Sequence, residues 1–160
     1  MDMAGASKLF ANLIERAIAI FERIPYSVTA LAARVFPAAV FWQSGQTKLD
    51  GWRLSENAIY LFREEYKLPL IDPALAAHLA AFAEHAFPIL LVLGLATRFA
   101  AVALLLMTLV IQTFVYPGAW PTHGTWIACF LMLIARGAGT WSLDEIIRKR
   151  HSFPRGATPV

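Results

Sequence analysis

ALAAHLAAFAEHAFPILLVLGLATRFAAVALLLMTLVIQTFV, residues 74–115, is the stretch that decides the fold. Only Glu84 and Arg98 carry charge in it, and Arg98 sits at a Gly-Leu-Ala-Thr break that divides the run into two apolar halves, 74–95 and 99–115. A helix needs about 20 apolar residues to cross a bilayer core of roughly 30 Å, and each half comes close. Barrel strands would need about ten residues of alternating polarity; these runs are too long and too uniformly apolar. On either side, 28–47 (VTALAARVFPAAVFWQSGQT) and 122–138 repeat the pattern, the latter less strongly because His123, Arg136 and two glycines gather toward its ends. The sequence therefore predicts an all-α membrane protein, a bundle of four transmembrane helices.

Composition agrees. Of 160 residues, 58% are hydrophobic and 16% charged, with a mean hydropathy of +0.55. Soluble domains run near 25% charged, so the chain lacks the polar groups to cover a water-facing surface. Few charges and abundant large apolar residues are the opposite of the signature of disorder. Cys129 is the only cysteine, which excludes a disulfide scaffold and dithiol exchange within one chain. A pI near 9.3 raises nucleic-acid binding, but the basic residues lie at the edges of apolar segments and no nucleic-acid motif accompanies them. No nucleic-acid partner is expected; the bilayer is.

Four spans put both termini on one side. That side carries the basic residues Lys8, Arg16, Arg23, Arg98, Arg136, Arg148, Lys149, Arg150 and Arg155; the opposite loops carry Lys48, Arg53, Arg63 and Lys67. Nine against four places both termini in the cytoplasm of a bacterial-type inner membrane by the positive-inside rule. Residues 1–27 read as a cytoplasmic amphipathic helix lying flat on the membrane. Leu9, Leu13, Ala17, Ile20, Phe21 and Ile24 share one face of it, with Asn12, Glu15, Arg16, Glu22 and Arg23 opposite. Residues 28–144 form the membrane domain and 145–160 a basic cytoplasmic tail. A short extracytoplasmic loop helix is expected at 56–67, capped by Ser55 and ended by Pro69.

Charges inside a span are expensive and default to site candidates. Arg34 and Glu84 are the two here. A long arginine could bridge their offset, giving a buried pair that is either a structural ion pair or a carboxylate poised for proton transfer. Trp42, Gln43 and Gln112 gather toward the outer end and, with His85 beside Glu84 in the second span, are candidates to line a quinone pocket, although an interfacial aromatic belt also explains the tryptophan. His78 and His123 share that end and could meet as copper or zinc ligands. His78 and His85, seven residues apart, are about 10.5 Å apart along the axis, too far to share one ion. Cys129 reads as packing. Pro37 and Pro88 lie inside spans and open space between helices.

Three stretches together resemble the DoxX family of small four-helix membrane proteins. These are Arg34 followed by SGQTKL at 44–49, LFREEYKLPLIDPALAAHLAAFAEHAFPILLVLGLATR at 61–98, and GAGTWSLD at 137–144. The matched positions are Arg34, Gly45, Lys48, Glu84, Arg98, Ser142 and Asp144, over about residues 31–144. The resemblance implies a cytoplasmic-membrane subunit of a redox or oxidative or metal-stress system, quinone-interacting or anchoring a soluble oxidoreductase or stress-response protein, at most an oxidoreductase subunit acting with partners. Family members are associated with thiosulfate:quinone oxidoreductase, with superoxide dismutase and sulfurtransferase assemblies, and with copper stress. The alternative is a non-enzymatic scaffold or an accessory protein in metal tolerance; a homo-oligomer is compatible with either. Ser142 could cap a short helix over 144–150, and the 137–144 turn is expected to cap the fourth span near Arg98.

Overall fold

Pro25 marks where the first long membrane helix begins, because a proline with φ −63° and ψ 140° cannot continue the helix before it and serves as its N-cap. In the computed structural model, which describes residues 3–151 and side chains from Ala11 onward, α1 is Met3–Phe21 and α2 is Tyr26–Gln46. Two-residue strands Leu49–Asp50 (β1) and Arg53–Leu54 (β2) pair antiparallel. Then come α3 (Glu56–Leu61), a π turn at Phe62–Tyr66, α4 (Pro73–Leu93), and α5 (Thr97–Val110), which continues as a π turn through Val115. After a 3-10 turn at Pro117–Ala119 come α6 (Trp120–Arg136) and α7 (Leu143–His151). Asp72 and Ser55 accept the first-turn amides of α4 and α3, from Leu75 and Ala58. Gly94, left-handed at φ 65°, ends α4.

Pro73–Leu93 and Thr97–Val115 are each long and apolar enough to cross a membrane, and Ala11–Phe21 with Tyr26–Gln46 passes as a pair bent by 59°. The chain is a multi-pass helical membrane protein. Small side chains let its helices approach, as membrane helices without a hydrophobic drive between them require. Ala30, Ala33, Ala38, Ala100 and Ala101 are buried with Phe41, Leu91, Leu104, Phe130 and Leu133. Large apolar side chains instead face outward, among them Phe36, Phe82, Phe99 and Leu106, which is how a lipid-facing perimeter is built. On α1, Leu13, Ile14, Ile18, Ile20 and Phe21 are all exposed. The side chains of Lys8 and Leu9, expected to contribute to that helix, and the tail beyond His151 with Arg155 lie outside what is described.

Segment 137–144 stitches one end of the bundle together. Tyr26 donates to Gly137 O at 2.8 Å, Thr140 N donates to Ser27 Oγ at 3.0 Å, and Arg34 Nη2 donates to Trp141 O at 2.6 Å. Ser142 Oγ accepts from Glu145 N at 3.3 Å and so caps α7. Asp144 accepts from Ala96 N at 2.7 Å and Thr97 N at 2.9 Å, while its own amide donates to Gly94 O at 2.8 Å. The turn thus ends the fourth span near Arg98 as expected, with Gly137 the C-cap of α6 and its amide donating to Leu133 O at 2.8 Å, and it also caps α5, because Ala96 and Thr97 offer the free amides of a helix start. Asp144→Ala leaves both amides without their acceptor, and stability in detergent should fall by about 1–2 kcal/mol; Asp144→Asn, keeping one acceptor, should lose less in the same unfolding measurement.

Candidate functional site

The sequence pairs Arg34 with Glu84; the structure separates them. Gly45 of α2 packs against Glu84 and His85 of α4, whereas Arg34 packs against Gly94 at the other end of the same antiparallel pair. Ten residues from Arg34 to Ser44 amount to about 15 Å of helix, beyond an arginine's reach. Arg34, 1% exposed, gives one donor to Trp141 O, and its Nε and Nη1 have no hydrogen-bond partner among the described residues. Its role in the structure is to hold segment 137–144 against α2.

Glu84 meets Lys48 instead. Lys48 Nζ stands 2.7 Å from Glu84 Oε2, an ion pair without good hydrogen-bond angles, and Ser44 Oγ donates to Oε1 at 3.1 Å. Lys48 Nζ also donates to Ser44 Oγ at 3.2 Å. Ser44 and Lys48 are four residues apart at the end of α2, so one helical turn presents both to the carboxylate. The carboxylate is 2% exposed and the ammonium 11%. Gly45 makes this approach feasible: a methyl group there would lie 2.7 Å from His85 Cε1 and 3.1 Å from Glu84 Cβ. Pro88, four residues beyond Glu84, leaves the Glu84 carbonyl without its helical donor.

The pair borders a cavity of about 360 Å³, within the range of small-molecule sites. Its walls are apolar, with Phe41, Phe62, Ala80 and Met107 among them, and its polar groups are few: Ser44, Lys48, Glu84, Tyr66, Tyr116 and His123. Tyr66 comes from the π turn after α3, outside the membrane segments. Burial, reinforced by the neighbouring Tyr116 hydroxyl, pushes its phenol well above the ordinary range, so it stands as a neutral donor. Leu79, Val110 and Val40, all exposed, also line the cavity and open it toward the lipid-facing perimeter.

His123 is held by a chain. Gln112 Nε2 donates to Pro117 O at 2.6 Å, which turns Gln112 Oε1 toward the ring. His123 Nδ1, 2.6 Å from that oxygen, must carry the proton, and Nε2 is left as an acceptor. The imidazole is buried against Trp126 with ring centroids 5.0 Å apart. Gln112 and His123, read separately in the sequence as quinone and metal candidates, therefore work as one unit.

The rest of the expected quinone set is dispersed. Trp42 stands edge-on to His85 at 4.9 Å; His85 Nδ1 donates to Ala81 O at 2.6 Å and its Nε2 accepts from Gln46 at 2.9 Å. Neither ring lines the 360 Å³ cavity. Gln43 lines an adjoining space of about 410 Å³, with Ser44, Lys48, Tyr66 and Tyr116 common to its wall. His78 is exposed on α4 and donates to Ala74 O at 2.8 Å, while His123 is buried against Gln112, so the expected meeting of these two does not occur. Among the described residues, no three His, Cys, Asp or Glu side chains are placed to hold a metal ion. Lys48, Ser44, Tyr66 and Tyr116 are the site residues that sequence reasoning missed. The one available signal was Lys48, four residues after Ser44 and matched in the family resemblance.

Fold and site define a multi-pass α-helical membrane protein with a cavity among its helices and a buried ion pair on the cavity wall. The chain belongs to the DoxX family, whose model matches residues 29–117. That match takes in Arg34, Gly45, Lys48, Glu84 and Arg98 and stops before segment 137–144. The chain is also similar to an uncharacterized protein of Haemophilus influenzae, 30% identical over 132 residues, covering 76% of this chain and 85% of that one. No solved structure matches it.

Proposed function

We propose that this chain is a four-span subunit of a redox or stress-response system in the cytoplasmic membrane, and that its cavity receives the head group of a quinone. The observation that carries the reading is the Lys48–Glu84–Ser44 cluster on the wall of an otherwise apolar, lipid-facing cavity. Such a space favours an amphiphile, a compact polar head with an apolar tail left among the acyl chains. Lys48 and Tyr66 are donors suited to carbonyl oxygens; Glu84 and His123 Nε2 are acceptors suited to hydroxyls. A quinone would supply two-electron, two-proton chemistry, and a soluble oxidoreductase docked on the membrane would supply the electrons. The chain's own part is to bind, to keep water out and to hold protons at Glu84 and His123.

Four spans result from α6 as the last crossing. Its 17 residues rise about 26 Å, and the preceding Pro117–Ala119 turn extends it toward the bilayer core thickness. With both termini cytoplasmic, α1 lies on the inner surface and α3 with its π turn covers the outer mouth of the cavity. The test is quenching of Trp126 fluorescence by a short-tailed benzoquinone added to the purified protein. Trp126 lines the cavity, so saturable quenching is expected, lost in Trp126→Phe and weakened at least about tenfold in Ala80→Phe, which fills the space. Linear, unsaturable quenching identical in the wild type and Ala80→Phe would overturn the reading.

A further inference from the structure

We propose that the cleft at the opposite end of the bundle binds the phosphate group of an anionic phospholipid between Arg98 and Arg136. The cleft has a volume of about 920 Å³ and lies among the start of α2, the start of α5 and the end of α6, with Tyr26, Thr97 and Gly137 in its wall. Arg98 opens α5 and Arg136 closes α6, so both guanidinium groups stand where apolar helices meet the head-group layer. Arg98 stands beside Gly137, where a methyl group would lie 3.7 Å from its Nε, and Arg136 lies at 4.1 Å over the ring of Tyr26, whose hydroxyl donates to Gly137 O.

Both arginines are exposed, and neither forms an ion pair among the described residues. The two carboxylates in the cleft wall are already engaged. Asp144 accepts the amides of Ala96 and Thr97, and Glu145 holds Arg148 at 2.7 Å and Lys149 at 3.7 Å. Positive charge is therefore left over at Arg98 and Arg136, in the forked geometry that suits phosphate oxygens. Phe99, in the cleft wall, is exposed and offers apolar surface to the acyl chains of the same molecule. Among the described residues the Arg98 guanidinium makes one hydrogen bond, to Ala135 O at a long 3.4 Å. If capping α6 were the whole purpose of these arginines, their loss would change stability and leave lipid preference alone.

The experiment is native mass spectrometry of the purified full chain, offered phosphatidylglycerol, phosphatidylcholine or inorganic phosphate. At about fivefold per arginine near a charged interface, the wild type should retain phosphatidylglycerol over phosphatidylcholine by roughly twenty-five-fold. Arg98→Gln with Arg136→Gln should abolish that preference, while Lys149→Gln with Arg150→Gln, on the exposed α7, should keep most of it. Equal retention of the two lipids by the wild type overturns the proposal without recourse to any variant. Equal losses in the two double variants would assign the effect to general basicity, and displacement of the lipid by inorganic phosphate would assign the site to a soluble anion; either result also overturns it. The cleft and the quinone cavity share no residue, so neither outcome bears on the other.

Discussion

Lys48→Met will destabilise the protein by about 3–5 kcal/mol, because removing one partner of a buried pair strands the other. Glu84 is 2% exposed, and Ser44 gives it a single neutral hydrogen bond, too little to replace an ammonium at 2.7 Å. Glu84→Leu should cost less. Lys48 lies two residues past the last residue of α2, and its side chain is 11% exposed, so a short rearrangement lets the ammonium reach water. The double variant Lys48→Met with Glu84→Leu removes both charges and should recover most of the loss. A cycle of unfolding measurements in detergent should therefore give a coupling of at least about 2 kcal/mol. Strictly additive losses would mean that the two side chains do not act as a pair.

Gly94→Ala will cost about 3 kcal/mol. One part is conformational: φ 65° is left-handed, which L side chains adopt at roughly 1–2 kcal/mol. The other is steric. A methyl group at Gly94 would collide with Arg34 Nη1 and lie 2.5 Å from Ser142 Cβ and 3.0 Å from Ser142 Cα. Arg34 has little freedom to retreat, since it is buried and tied to Trp141 O, and overpacking of this kind costs a further 1–3 kcal/mol or so. Gly51 provides the control. It shares the backbone, at φ 61°, but has nothing within 4 Å of the added methyl. Gly51→Ala should lose only the conformational part, about 1–2 kcal/mol, and the difference between the two variants in thermal unfolding measures the steric collision. Equal shifts would mean that Arg34 and Ser142 do not crowd Gly94.

The helices were legible because their ends carry local chemistry. Asp72-Pro73 begins α4 and Gly94 ends it, and apolar length alone marks the stretch as membrane-crossing. The expected starts at 28, 74, 99 and 122 fall within two residues of Tyr26, Pro73, Thr97 and Trp120. The site was less legible, because pairing across helices depends on register, which hydropathy does not encode. Glu84 was visible as a charge in an apolar run. Its partner lay beyond the expected span, among the loop charges, although a lysine just past a helix end can still turn inward. The contact of Gly45 with His85 sets the register, and it places Lys48, not Arg34, opposite the carboxylate. Tyr66 and Tyr116 reach the cavity from π turns or just after them. The extra residue in such a turn rotates the side chains beyond it, and a helical periodicity read from sequence does not show it. Segment 137–144 was recognisable as a motif, but its physical task emerged only once Arg34, Ser27 and Gly94 were seen around it.

The decisive measurement is mass spectrometry of small molecules held by the protein after gentle extraction from its native membrane, compared with Lys48→Met and Ala80→Phe extracted in the same way. A quinone site beside Lys48 and Glu84 predicts a quinone retained near one-to-one by the wild type and depleted at least about tenfold in both variants. Wild-type protein that is folded and holds only phospholipid, or a quinone retained equally by Ala80→Phe, would rule that site out.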